Sequence, residues 1–371
     1  MLADQEFAFA QALDYVDLHK PDAIVIAGDI YDKLTPSPDA VAVFDRFITS
    51  LAAAGPQIMI ISGNHDSPER LTFASGIMRY GGVHLYGVFD GGARVVTLDD
   101  EFGEVRFYML PYIRPADVAR FVKNDAVATP AAVSSNVFTY ESAVAAVIAA
   151  AGIDPSSRNV LIAHQFFASG AADPERSESE REMIGGMDRI DTAVCGAASL
   201  FDYVALGHLH GPQRVGADHV RYAGSPLKYS FSECLHNKRA LLVEMRAKGE
   251  LAVTDLPIKP LRDMRRVRGR LDGLLSGEAR SGGNAEDYLH VTLTDEDEIY
   301  DALGKLRAVY PNVMHLGFDN ARTGAVYDFN EDAETERKTP LSLFEEFFIA
   351  QNGIELSDEQ KKAVTELLNS K

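Results

Sequence analysis

Four short apolar runs, AIVIAGD, IMIISGNHD, VLIAH and VALGHLH, each end on aspartate, asparagine or histidine. Each is too short for a separate buried helix and rich in β-branched residues, so each reads as a buried strand. Their endings are Asp29, then Asn64, His65 and Asp66, then His164, then His208 and His210. A core strand followed by a plain turn needs none of these groups. Singly, Asp29 reads equally as a helix cap and His164 as a satisfied core histidine. Four such endings together are not expected of a decorated core. In open α/β sheets ligands bind beyond the carboxyl ends of the strands, so the endings can meet on one rim.

The segments between the runs complete an alternating pattern. Residues 4–19 place Phe7, Ala10, Leu13 and Val16 at helical spacing, and AVAVFDRFITSLAAAG reads as a helix stopped by Gly55. RVVTLD and VRFYMLP look like a hairpin, 140–151 like a helix, and VRYAGSP and ALLVEMR like edge strands. Helices alternating with buried strands predict a layered α/β sandwich. A length of 371 residues suggests two domains. Pro257 and Pro260 punctuate the end of the first, predicted over 1–256. Residues 257–327 then give strand, strand, helix and strand, a small second α/β unit. An acidic linker, DFNEDAETERKT, leads 328–371 into two helices. One starts at Thr339-Pro340 and ends at Asn352-Gly353; Ser357 and Gln360 form a capping box for the other.

Composition narrows the function. With 36 Lys and Arg against 55 Asp and Glu, the net charge of −19 argues against holding nucleic acid by bulk electrostatics. It leaves room for an enzyme whose positive charge comes from bound metal ions. No apolar run approaches the roughly 20 residues of a membrane span, and no leader pattern opens the chain, so a cytoplasmic protein is expected. Cys195 and Cys234 sit in no Cys-x-x-Cys pair and fit a reducing compartment, both as small buried hydrophobes.

Imidazole, carboxylate and amide carbonyl without thiolate suit Mn²⁺, Fe²⁺ or Mg²⁺ better than a structural zinc site. A mixed His/Asp set fits a pair of ions sharing one carboxylate. His65, directly after Asn64, points away from the metals but stays in the cleft, where a general acid would sit. Gly28, Gly63 and Gly207 precede the clusters and would allow tight turns there.

GDIYD, GNHD, AHQF and GHLHGPQ, in this order, resemble the motifs of calcineurin-like metallophosphoesterases. VAVFDRFITSL, SERE with IGGMDRID, FDYVALGHLHGPQ, YAGSPLKYSF and TPLSLFEEFF resemble the SbcD family, the nuclease subunits of SbcC–SbcD complexes, over essentially residues 4–371. The resemblance implies an α/β/β/α metallophosphoesterase sandwich, a small capping domain and C-terminal helices. It implies Asp29 bridging two Mn²⁺ ions (Mg²⁺ or Fe²⁺ as alternatives), Asn64, His164 and His208 completing one, and His210 on the other. His65 would be the acid or phosphate-orienting group, with Asp66 as its orienting partner. It also implies a DNA substrate, an SbcC-type coiled-coil ATPase bound through the C-terminal helices, and a homodimer.

One departure bears on activity. The family's first motif, Asp-x-His at the end of the first strand, would fall before Met1, and no Asp-x-His stands at a strand end here. A late start or a fragment is the expected explanation, with an inactive member as the alternative. The rival functions are a phosphodiesterase or phosphatase for a smaller substrate, and an assembly subunit without catalysis. Five arginines in RDMRRVRGR read as phosphate contacts or as an exposed strand face, and loop 168–187 as a lid, a guide or an insertion. Leu341, Phe344, Phe347 and Phe348, then Val364, Leu367 and Leu368, form helical stripes that suit capture of a separate partner. His84, His219, His236, His290 and His315 read as structural.

Overall fold

The computed structural model describes residues 1–122, 139–180, 188–277, 282–320, 341–342, 344–345, 348–349 and 355–369. They form two compact units, Met1–Leu261 and Arg262–Lys371.

The first unit opens with α1 (Leu2–His19), β1 (Ala23–Ala27), α2 (Pro38–Ala54), β2 (Gln57–Ile61) and β3 (Val83–Tyr86), whose strands make one parallel sheet in the order β1-β2-β3. Local chemistry sets the bounds of α2. The Ser37 side chain accepts the Ala40 N–H at 3.2 Å, Pro38 follows it, and Gly55 ends the helix at a φ of 98°. Residues Ile58 to Ile61 of β2 are wholly inaccessible. Period-2 alternation sends Ile58 and Ile60 towards Leu13, Ile48 and Leu51 of the two helices, and Met59 and Ile61 towards a second sheet.

That second sheet takes in β4 (Arg94–Asp100), β5 (Gly103–Leu110) and β6 (Arg158–His164), together with strands Tyr203–Gly207, Ala217–Tyr222 and Gln213–Val215. The β4–β5 hairpin is antiparallel, while β5, β6 and Tyr203–Gly207 run parallel. Val160 and Ile162 of β6 pack with Met59 and Ile61 between the sheets. Leu161 and Ala163 pack on Val144 and Val147 of the outer helix Tyr140–Ala150. Helix, sheet, sheet and helix are therefore stacked as the α/β/β/α pattern requires. Burying each of the valine, leucine, isoleucine and methionine side chains among these contributes roughly 1.5–3 kcal/mol.

Two sequence expectations need correction. Ala217–Tyr222 is not an edge strand: it lies between Tyr203–Gly207 and Gln213–Val215, and the short GPQRV segment takes the edge instead. Cys234 is only half-buried, whereas Cys195 is buried.

In the second unit, strands Met264–Gly269, Tyr288–Leu293 and Val313–Phe318 form a parallel sheet whose core joins Leu289, Val291 and Leu293 to Leu274, Leu306 and Tyr310. Acidic residues of the same unit meet much of the arginine run: Arg265 donates to Asp287 at 2.7 Å and Arg268 to Asp319 at 2.7 Å. The Ser357–Gln360 box closes as expected on helix Asp358–Asn369, with reciprocal bonds of 2.9 and 3.3 Å. The acidic linker, the Thr339-Pro340 start, the Asn352-Gly353 stop and Phe347 lie outside the described residues. Among the described residues no helix is long and apolar enough to cross a membrane.

Burial pushes the Cys195 thiol up to about 12, so little reactive thiolate forms there at pH 8. Native protein at pH 8 should take up iodoacetamide at Cys234 alone, and at both cysteines in denaturant. Rapid labelling of Cys195 in the native state would contradict this packing.

Candidate metal centre

The endings of β1, β2, β6 and Tyr203–Gly207 do meet. Asp29, His164 and His208 bring ligand atoms to within 4.8 Å of one another. His164 Nε2 lies 3.1 Å from Asp29 Oδ2 and 3.1 Å from Asn64 Oδ1, and His208 Nδ1 lies 3.0 Å from the same Asn64 oxygen. Nδ1 of His164 faces the Ala27 carbonyl at 2.6 Å, and a carbonyl can only accept. The proton of a neutral His164 ring is therefore on Nδ1, and its bare Nε2 faces a carboxylate oxygen and an amide oxygen. Acceptors crowded at about 3 Å repel one another unless a cation or a proton lies among them.

That crowding is the test of whether a divalent ion fits. Adjacent ligands about 2.1 Å from one octahedral ion stand about 3 Å apart, which is the spacing found here. The protonation tendencies agree. Burial opposes the Asp29 charge, but the His164 ring beside it outweighs burial and holds the carboxyl well below the usual range. Burial would keep His164 neutral, yet the Asp29 charge overrides it and raises the ring's pKa. Without an ion, a proton on His164 answers the same demand. Burial, then the charge of His164, pushes His208 down to about 3, which leaves it neutral and able to ligate.

The backbone is bent to make this meeting. Asp29 and His208 have φ values of 50° and 101°. Such conformations cost about 1–3 kcal/mol each and persist where the surroundings over-determine them. Gly28 also turns at positive φ. Gly207 is needed for close approach instead, because a Cβ there would collide with the Ala27 carbonyl.

Asp66 does something other than orient His65. It is 2% exposed, and its carboxylate accepts the N–H groups of Gly63 at 2.8 Å, Ile30 at 3.1 Å and Tyr31 at 3.0 Å. It ties the loop after β2 to the loop after β1. The His65 ring is steered by the Asp32 carbonyl, 3.0 Å from its Nδ1, while its backbone N–H donates to Asp29 Oδ1 at 2.9 Å. His210 is not among the atoms that converge within 4.8 Å. Its Nδ1 lies 2.9 Å from Ser179 Oγ and 3.2 Å from Glu233 Oε1. Glu233 escapes a reading of the sequence because nothing about an isolated glutamate in YSFSEC announces a partner at residue 210. Burial favours its neutral form, but hydrogen bonds from His210 and Lys238 outweigh burial and hold the carboxyl well below its ordinary range. Of loop 168–187, residues 181–187 lie outside the described residues; in the part before them Glu175 exchanges two 2.9 Å bonds with Gln213, and the Glu178 N–H donates to Ser232 at 2.9 Å.

A sandwich with this rim defines a metal-assisted phosphoester-cleaving protein, and the chain belongs to the calcineurin-like phosphoesterase family, whose model matches residues 3–212. A second model, described as the type 5 capsule protein repressor C-terminal domain, matches residues 260–352. The chain is 29% identical over 378 residues to a Staphylococcus epidermidis protein named as the D subunit of the nuclease SbcCD, covering 100% of this chain and 93% of that protein. It is 29% identical over 380 residues to a Staphylococcus saprophyticus protein of the same name, with the same coverages. The crystal structure of TT1561 of Thermus thermophilus aligns with 67% of this chain and 92% of that one at 14% identity and a TM-score of 0.40.

On these assignments, substitutions at neighbouring positions should separate. Asp29→Ala should abolish Mn²⁺ binding in isothermal titration, whereas His65→Asn should leave it unchanged. Asp66→Ala strands buried N–H groups at about 1–3 kcal/mol each. Its melting temperature should fall by roughly 5–15 °C even without metal. A His65 variant that lost its metal, or an Asp66 variant of full stability, would reverse the roles.

Proposed function

We propose that this chain is the metal-dependent nuclease subunit of an SbcC–SbcD-type complex, cleaving DNA at duplex ends and at hairpins or single strands in cytoplasmic repair and recombination. The observation that carries this reading is the convergence of Asp29, Asn64, His164 and His208 on one rim. Similarity along the whole chain to two proteins named as SbcCD nuclease subunits supports the substrate and the complex. A phosphatase for small substrates needs neither a second unit nor C-terminal helices.

Oxygen and nitrogen donors without thiolate favour Mn²⁺, with Mg²⁺ or Fe²⁺ as alternatives. Asp29, Asn64, His164 and His208 would hold one ion, and Asp29 with His210 would contribute to a second. Such ions would supply Lewis acidity towards a phosphoryl oxygen and a nucleophilic water at neutral pH. The remaining work falls to the chain. Asp29 anchors His65 through its backbone N–H, and the Asp32 carbonyl accepts a hydrogen bond from the His65 Nδ1–H. With Nδ1–H so used, Nε2 is the nitrogen that faces the departing oxygen, and it delivers a proton there when the ring enters the reaction as the doubly protonated imidazolium.

His65→Asn should lower Mn²⁺-dependent cleavage of hairpin DNA by about 10²–10⁴-fold. Full activity in that variant would remove His65 from the reaction. Two Mn²⁺ per chain with cleavage supports the two-ion reading, while one or none without cleavage supports an assembly role.

Assembly is read separately. A homodimer should appear in sedimentation velocity. On helix Asp358–Asn369, Leu367 and Leu368 are 72% and 46% exposed, which supports SbcC capture through the C-terminal helices. Removing residues 338–371 should leave Mn²⁺ binding and melting unchanged but abolish co-purification with SbcC. A large fall in melting temperature would place these helices in the protein's own core.

A further inference from the structure

We propose that Glu233, backed by Lys238, is a positioning residue that holds His210 as its Nδ1–H tautomer and so presents the Nε2 lone pair to an incoming ligand. The proposal rests on the reading of His210 as part of the phosphodiesterase site.

The tautomer follows from the donors available. Ser179 Oγ has one proton, and it donates that proton to Glu233 Oε1 at 2.8 Å. Toward His210 Nδ1, 2.9 Å away, the hydroxyl can then only accept. Glu233 Oε1, 3.2 Å from the same nitrogen, is a carboxylate oxygen and also only accepts. Two acceptors facing one ring nitrogen place the proton there. The opposite assignment would set a bare Nδ1 against a carboxylate and leave the Ser179 proton with two claims on it.

The pair behind the ring is fixed and dry. Glu233 is 0% and Lys238 6% exposed. Lys238 Nζ donates to Glu233 Oε2 at 2.6 Å, to Ser225 Oγ at 2.8 Å and to the His210 carbonyl at 2.8 Å, so its three protons are all used. Lys238 therefore grips His210 twice, directly at the backbone and through Glu233 at the ring. The His210 N–H donates to Glu180 Oε1 at 2.5 Å. With N–H, carbonyl and Nδ1 all held, Nε2 is the one polar atom of His210 these bonds leave open. A carboxylate behind an imidazole in this way orients the ring and raises the basicity of its far nitrogen.

The test reads the tautomer directly, in metal-free protein at pH 8, by long-range ¹H–¹⁵N correlation of ¹⁵N-histidine-labelled full-length chain. The His210 signals are identified by their loss in His210→Gln. Wild-type His210 should carry its proton on Nδ1. Glu233→Gln, whose amide can donate, should move His210 to a majority Nε2–H form, while Ser179→Ala should keep Nδ1–H. A wild-type ring protonated at Nε2, an unchanged tautomer in Glu233→Gln, or a flip in Ser179→Ala alone would each overturn the assignment. The wild-type measurement decides even if Glu233→Gln fails to fold. No metal or DNA enters the experiment, so failure of Mn²⁺ binding or cleavage would sink the functional reading and leave the tautomer result intact.

Discussion

Acceptors facing acceptors are the constraint around which the first unit is built. Nε2 of His164 stands 3.1 Å from Oδ2 of Asp29 and 3.1 Å from Oδ1 of Asn64, and the proton of a neutral His164 is committed to the Ala27 carbonyl on the other side of the ring. Such a cluster is repulsive by itself. It is tolerable only if a cation is its working partner, or if a proton substitutes when the cation is absent. The Asp29 charge raises His164, while burial and the charge of His164 lower His208, so the two rings respond to the same surroundings in opposite directions.

Holding that arrangement requires a frame that cannot relax. Complete burial of Ile58 to Ile61 on both faces of β2 supplies it, because a one-residue slip would exchange Ile58 and Ile60 with Met59 and Ile61 between layers. Glycine at 207 lets the Ala27 carbonyl come close enough to reach the His164 ring. The Asp66 carboxylate staples the loops after β1 and β2. Left-handed backbone at Asp29 and an unusual φ at His208 are the local strain that this frame sustains. Glu233 and Lys238 do for His210 what the Ala27 carbonyl does for His164: each occupies one ring nitrogen so that the other is offered.

Much of this is legible in the residues because strand periodicity and polar endings are local signals. The runs before Asp29, Asn64, His164 and His208 read as strands from apolar content alone, and parallel order brings their carboxyl ends together. Asp66 misleads for a physical reason. Adjacency to His65 in GNHD says nothing about where a short carboxylate points, and buried amides at Gly63, Ile30 and Tyr31 claim it. The strand at Ala217–Tyr222 looks like an edge because its covering partner, Gln213–Val215, is too short and polar to register as a strand. Glu233 and Lys238 are invisible for a related reason: their meaning is tertiary, in contacts with residues 179, 210 and 225.

The central claim is that Asp29, Asn64, His164 and His208 form one cation site, and anomalous diffraction from crystals grown with Mn²⁺ addresses it most directly. The account predicts a manganese peak bonded to Asp29, Asn64 Oδ1, His164 Nε2 and His208, with the His164 Nδ1 contact to the Ala27 carbonyl retained. A structure with saturating Mn²⁺ in which those groups keep their mutual contacts of about 3 Å and no metal peak lies among them would contradict it.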